Sequence, residues 1–232
     1  MDNFIFNLII IIIGLIIGSF INVLSYRIPE NLPVIFSRSI CPQCKTSIPL
    51  YRNIPIVTYI LQRGKCHNCN TSISLLYPFI EIITPIIFLL GFSNNHQSEY
   101  ILFLWMSSIL ITISIIDIKT LTIPLSLLSL ILLGESFFLI FNFNQYNHMI
   151  LGVFFGLGYL GVTFLITSII YKKQTLGYGD LLLISLIGFW LGPVNILICI
   201  FLSAILGLII WIIKYYTNKE NVKLPFGAYL SI

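Results

Sequence analysis

The chain has 232 residues, 58% of them hydrophobic and only 9% charged, with a mean hydropathy of +1.01. A water-soluble domain of this length has too little interior to hide that much apolar surface, so a soluble enzyme or a soluble nucleic-acid-binding module is excluded. The formal charge of +4 would suit a nucleic-acid partner elsewhere, but its placement reports membrane topology, and no nucleic acid is expected.

A spanning helix needs about 20 apolar residues. The first such run is Phe4 to Val23. It lacks a basic start and a small-residue cleavage site, and it is too long for the apolar core of a cleaved signal, so it reads as a retained span. Ser25 to Ser74 breaks the pattern, being polar, proline-bearing and rich in Arg and Lys. Further spans are predicted at about 75–92, 100–116, 121–141, 149–171, 177–192 and 194–213, with an eighth beginning near Leu224. The chain stops at Ile232 inside that last run, which points to an incomplete C-terminus. The expected fold is all-α, a polytopic transmembrane helical bundle of about 7–8 spans in contact with membrane lipid, with a small zinc-ribbon-like cytoplasmic loop domain. The expected divisions are 1–24 (first span), 25–74 (loop domain) and 75–232 (transmembrane core).

All 12 Lys and Arg residues fall in or beside alternate connections, at 24–74, 117–120, 172–176 and 214–223. The opposite connections contain none: 93–99 with Asn94, Asn95 and His96; 142–148 with Asn142 and His148; and Gly192-Pro193. The positive-inside rule makes the basic side cytoplasmic. Asp117 ends the third predicted span on that side, and Asp180 begins the sixth on the same side. A carboxylate at the centre of a bilayer costs roughly 3 kcal/mol, so intramembrane acids usually have a role. Two at matched depth can share one proton. The ionised member then takes a proton from water while its protonated partner polarises a carbonyl, the arrangement of aspartic proteases. Gly177 and Gly179, just before the second acid, allow the backbone to turn or pack closely. Paired acids also serve ion translocation, but such a path needs polar groups at several depths. Mid-span positions here are almost all Ile, Leu, Phe and Gly, with Glu81 and Glu135 the other acids inside spans. Hydrolysis is the favoured reading.

In the loop, Cys41-Pro-Gln-Cys44 and Cys66-His-Asn-Cys69 form two CxxC pairs. Four thiolates at this spacing suit tetrahedral structural zinc with no open coordination position. A cytosolic loop makes disulfides unexpected. His67 reads as a solvated loop residue, and Cys199, alone in an apolar run, as a packed thiol. Gly14 and Gly18, and Gly152, Gly156 and Gly161, have spacings that allow close helix approach. Asn22 reads as a bond across helices or a substrate contact. Glu81 reads as a helix N-terminal charge or a contact for a basic substrate.

Taken together, Gly18-Ser19-Phe20-Ile21-Asn22-Val23 followed by Arg27-Ile28-Pro29, both CxxC motifs, Asn53-Ile54-Pro55, Gly64-Lys65-Cys66, Tyr77-Pro78 with Glu81, the Asp117 segment ending Ile123-Pro124, Gly177-Tyr178-Gly179-Asp180 and Pro225-Phe226-Gly227 resemble bacterial type IV prepilin peptidases over nearly the whole chain. The resemblance implies an inner-membrane aspartic endopeptidase that removes the basic leader of type IV prepilins and type II secretion pseudopilins after a glycine, on the cytoplasmic side. It implies Asp117 and Asp180 as the catalytic pair, Gly177 and Gly179 as active-site backbone, and Cys41, Cys44, Cys66 and Cys69 as zinc ligands. Many such enzymes also methylate the new N-terminus with S-adenosylmethionine, an activity associated with the N-terminal part. Gly18, Asn22, Gly64, Lys65 and Glu81 are the corresponding methylation or substrate candidates. The chain departs from the pattern at Leu182, where many relatives carry lysine, and at Leu125, where an acid is common.

Overall fold

A computed structural model of the chain describes residues 2–34, 38–92, 97–172, 177–218 and 224–231. Lys173, Lys219, Lys223, Asn94, Asn95 and His96, which entered the topology reading, lie outside the described residues. Among the described residues the regular elements are helical: α1 (Asp2–Arg27), α2 (Val57–Leu61), α3 (Leu76–Leu90), α4 (Gln97–Thr120), α5 (Leu125–Phe141), α6 (Tyr146–Tyr171), α7 (Tyr178–Asn218) and α8 (Phe226–Leu230). Strand-like pairing is limited to two isolated bridges, Ile40 with Ser47 and Lys65 with Ser72. The chain divides into two compact units, Met1–Ser108 and Ile109–Ile232.

In the first unit α1 and α3 pack closely because glycine faces backbone. A methyl on Gly14 would sit 2.5 Å from the Cα of Pro85, and one on Gly18 would sit 2.9 Å from the Cα of Glu81. Between apolar helices in lipid there is little solvent-driven attraction, so close packing of small residues does the associating. α1 ends at Arg27, shortly before Pro29, since the residue preceding a proline is driven out of helical conformation.

In the second unit α6 and α7 meet through Gly152 and Gly188. A methyl on Gly188 would lie 2.6 Å from the Gly152 carbonyl oxygen, and one on Gly152 would strike the Gly188 carbonyl. A methyl on Gly156 would lie 3.2 Å from the Ile184 carbonyl oxygen. Gly161, expected at the same kind of interface, faces open space. α7 bends at Gly192 (φ 77°, ψ 179°), followed by Pro193. The positive φ requires glycine, and any side chain there would run into the His148 ring.

Among the described residues, four helices are long and apolar enough to cross a membrane (Phe4–Arg27, Ser98–Thr120, Tyr146–Ile170 and Tyr178–Thr217), which makes this a multi-pass membrane protein; α3 and α5 are apolar but shorter. The expected count of seven to eight spans is not confirmed by this set. The expected spans at 177–192 and 194–213 are the two arms of the bent α7. Where an eighth span was expected, the chain forms the five-residue α8, whose Gly227, Ala228, Tyr229 and Leu230 are buried. Ser203 Oγ donates to the Tyr229 carbonyl at 2.9 Å and the Cys199 thiol to the Leu230 carbonyl at 3.6 Å, so the carbonyls of this short turn find partners on α7.

Candidate functional site

Asp117 lies in the last turn of α4 and Asp180 in the first turn of α7. Asp117 is 4% exposed, whereas Asp180 is partly exposed. Both side chains converge on the start of α8. A methyl built on Gly227 would lie 3.1 Å from Asp117 Oδ2 and 3.2 Å from Asp180 Oδ1. The Ala228 N–H donates to Asp117 Oδ2 at 2.8 Å. The two acids thus lie close enough to feel each other's charge. The structure brings together the pair that matched depth alone suggested.

The neighbouring backbone explains the glycines. Gly177 N–H donates to Asp180 Oδ2 at 3.2 Å, while the Asp180 N–H donates to the Gly177 carbonyl at 3.1 Å. This reciprocal pair orients the acid as it enters α7. A methyl on Gly179 would lie 3.1 Å from Ile123 Cβ, and one on Gly227 would lie 2.7 Å from Ile123 Cδ1. Ile123 is therefore held between Gly179 at the start of α7 and Gly227 at the start of α8. Gly227, Ala228 and Ile123 were not named as site residues by sequence reasoning. The signal was Pro225-Phe226-Gly227, which entered the sequence analysis only as part of the family resemblance and whose glycine lies against both carboxylates.

The four cysteines of the first unit form a second centre. Their sulfurs all lie within 4.8 Å of one another, with Cys41 and Cys69 at 3.9 Å and Cys44 and Cys66 at 4.0 Å. A tetrahedron with arms of about 2.3 Å, the zinc–sulfur bond length, has edges of about 3.8 Å. The donor set therefore fits a closed tetrahedral metal site. It is built from one turn used twice. Cys41 N–H donates to the Thr46 carbonyl and Lys45 N–H to the Cys41 carbonyl; Cys66 and Asn70 repeat both bonds, with Thr71 in place of Thr46. Lys45 and Asn70 both adopt positive φ, at 60° and 56°. The repeat is visible as Cys-x-x-Cys-x-Thr-Ser-Ile at 41–48 and 66–73, a signal that the CxxC count alone overlooked.

These turns also favour thiolates. The Thr46 hydroxyl, 3.3 Å from the Cys44 sulfur, holds that thiol below its usual range, and Thr71 does the same for Cys69 from 3.0 Å. The Cys69 and Asn68 backbone N–H groups lower Cys66. The Cys44 N–H pulls Cys41 down, but burial and the neighbouring thiols outweigh it and leave Cys41 raised.

The remaining sequence candidates fall in the same unit. Glu81 is 8% exposed and lies in the second turn of α3, so it is not a helix N-terminal charge. Its Oε2 accepts the Ile56 N–H at 2.7 Å. Asn22 donates to the Tyr77 carbonyl at 3.1 Å, tying α1 to α3. Gly18 lies against Glu81, as described above. Gly64 adopts φ 66° and Lys65 pairs with Ser72, both in the second cysteine turn.

Against known proteins, residues 12–94 match the bacterial peptidase A24 N-terminal domain and residues 101–212 match the type IV leader peptidase family. The prepilin leader peptidase/N-methyltransferase of Neisseria gonorrhoeae is 33% identical over 95% of this chain and 86% of its own. The protein of that name from Pectobacterium carotovorum subsp. carotovorum is 32% identical over 95% of this chain and 88% of its own. The type 4 prepilin-like proteins leader peptide-processing enzyme of Escherichia coli O78:H11 is 30% identical, over 94% and 88%. No solved structure matches the chain.

Proposed function

Because this chain belongs to the type IV leader peptidase family, we propose that it removes the basic leader of type IV prepilins and pseudopilins after a glycine and then N-methylates the new N-terminal residue. The observation that carries the peptidase reading is the convergence of Asp117 and Asp180 on Gly227. One proton is shared across the pair. The ionised carboxylate takes a proton from a water molecule, the protonated one hydrogen-bonds the scissile carbonyl, and the hydroxide equivalent adds to the carbonyl carbon. When the tetrahedral adduct collapses, the leaving amine receives a proton from the pair. The Ala228 N–H holds Asp117 and the Gly177 N–H holds Asp180, so little rearrangement is needed on reaction.

Cys41, Cys44, Cys66 and Cys69 would hold zinc, whose contribution in a four-thiolate site is to cross-link the loop. S-adenosylmethionine would supply an activated methyl group. Gly18, Asn22, Gly64, Lys65 and Glu81 serve methyl transfer or substrate binding, and residues 75–232, apart from Glu81 and its helix α3, form the peptidase core. The distribution of Lys and Arg along the sequence supports a multi-pass protein of the bacterial inner membrane with its acid-bearing and cysteine-bearing ends cytoplasmic. A prepilin meets that surface at the join between its apolar helix and its basic leader. A glycine there frays the helix and frees the carbonyl to be attacked.

The test is purified protein with a prepilin substrate, each aspartate changed to asparagine in turn. Loss of leader removal by both variants is expected. Cleavage at the wild-type rate by either one would overturn the reading.

A further inference from the structure

We propose that a cavity of about 430 Å³ in the first unit, bounded by α1, α3 and the cysteine turns, is the seat of the methyl donor. The proposal rests on the methyl-transfer reading above and assigns it a place. The size lies within the range of small-ligand pockets, about 300–1,000 Å³. Its walls match a molecule that is cationic at one end and aromatic at the other. Glu81 is the one carboxylate lining it among the described residues. The Ile56 N–H, 2.7 Å from Oε2, fixes that carboxylate in position. It supplies the negative field that a sulfonium and an ammonium require.

Tyr59 and Tyr77 line the cavity and supply the aromatic surface a purine requires. Asn22 gives its amide N–H to the Tyr77 carbonyl, which leaves its own side-chain oxygen to accept from an exocyclic amine. Arg52, held over the Tyr51 ring at 5.4 Å, also lines the cavity and suits the donor's carboxylate. Two arginines against one acid make the cavity a poor seat for the substrate's basic leader. Cys41 and Cys66 form part of the wall, so the metal that closes the cysteine cluster also sets the cavity's shape.

The transfer balances without any further reagent. The new N-terminal ammonium releases one proton to solvent, and its lone pair then forms the N–C bond to the methyl carbon. The C–S bond breaks with its electron pair left on sulfur, giving S-adenosylhomocysteine and a secondary ammonium.

The experiment titrates full-length protein in detergent with S-adenosylmethionine and with S-adenosylhomocysteine by calorimetry, alongside Glu81→Gln and Ser39→Trp, the latter narrowing the cavity from its rim. Metal content serves as the check on folding. At least tenfold weaker donor binding is expected in both variants with the metal retained. As an independent measurement, a photoreactive azido-adenosine analogue of the donor should label peptides within residues 19–81. Undiminished binding in both variants, or labelling confined to the second unit, would overturn the placement. If the wild type cleaves prepilin but binds neither nucleoside, the methyl-transfer reading itself fails.

Discussion

The first unit gathers its four thiols from turns whose paired sulfurs are at most 28 residues apart, and each turn is closed by hydrogen bonds within a few residues of its own cysteines. The second unit gathers its carboxylates from the ends of two long helices. It holds one of them with a backbone N–H 111 residues away in sequence. One centre is assembled by local turns that a metal can lock; the other exists only once α4, α7 and α8 have packed. The comparison teaches that a metal centre can be specified by short-range chemistry, whereas a proton-sharing pair depends on helix packing throughout its unit.

The largest effect that would break this comparison is at the acids. Asp117→Asn or Asp180→Asn is expected to reduce leader removal by roughly 10²–10⁴-fold, the usual contribution of acid–base groups, without changing metal content. A prepilin cleavage assay paired with metal analysis reads both. Next, Cys44→Ser or Cys66→Ser should weaken metal binding by more than about a hundredfold, since even residues that merely support ligands cost 10–100-fold. If the peptidase site stands on its own packing, cleavage in these variants survives; its disappearance together with the metal would show that the units are not separable.

Gly227→Ala sharpens the comparison further. Its methyl would press on both carboxylates and on Ile123, and a displacement near 1 Å is worth about a hundredfold in rate. A fall in kcat for cleavage with unchanged metal content is the expected result. Gly188→Ala forces α6 from α7 and should destabilise the second unit by about 1–3 kcal/mol, seen as a lower Tm. The smallest effect belongs to Glu135, which is 1% exposed with neither oxygen hydrogen-bonded. Glu135→Gln keeps its shape, and cleavage should stay within about twofold of wild type.

How much was legible follows from the same division. The cysteine cluster could be read from spacing, because ligand geometry imposes a short sequence pattern. The pairing of Asp117 with Asp180 was also legible, but through charge placement along the chain rather than local pattern. α8 lies where an eighth span was expected to begin; composition gave the apolar character of that stretch, and only the packing showed its contacts with α7. The bend at Gly192 was likewise hidden, since a Gly-Pro step suits a loop between two spans as well as a kink within one. Gly161 failed as an interface residue because glycine spacing permits close approach without compelling it.

The amino-acid order by itself determined that this protein lives in a membrane, where its cysteines would meet and which two acids stand in otherwise apolar sequence. Each of these follows from burial cost, ligand spacing or charge placement, properties a residue carries wherever it folds. Only the tertiary structure decided that Gly227 would lie against both acids with the Ala228 N–H on Asp117, and that Asn22 and Glu81 would line one cavity. Such contacts join residues from distant parts of the chain, and helix packing, unlike composition, sets which of them meet.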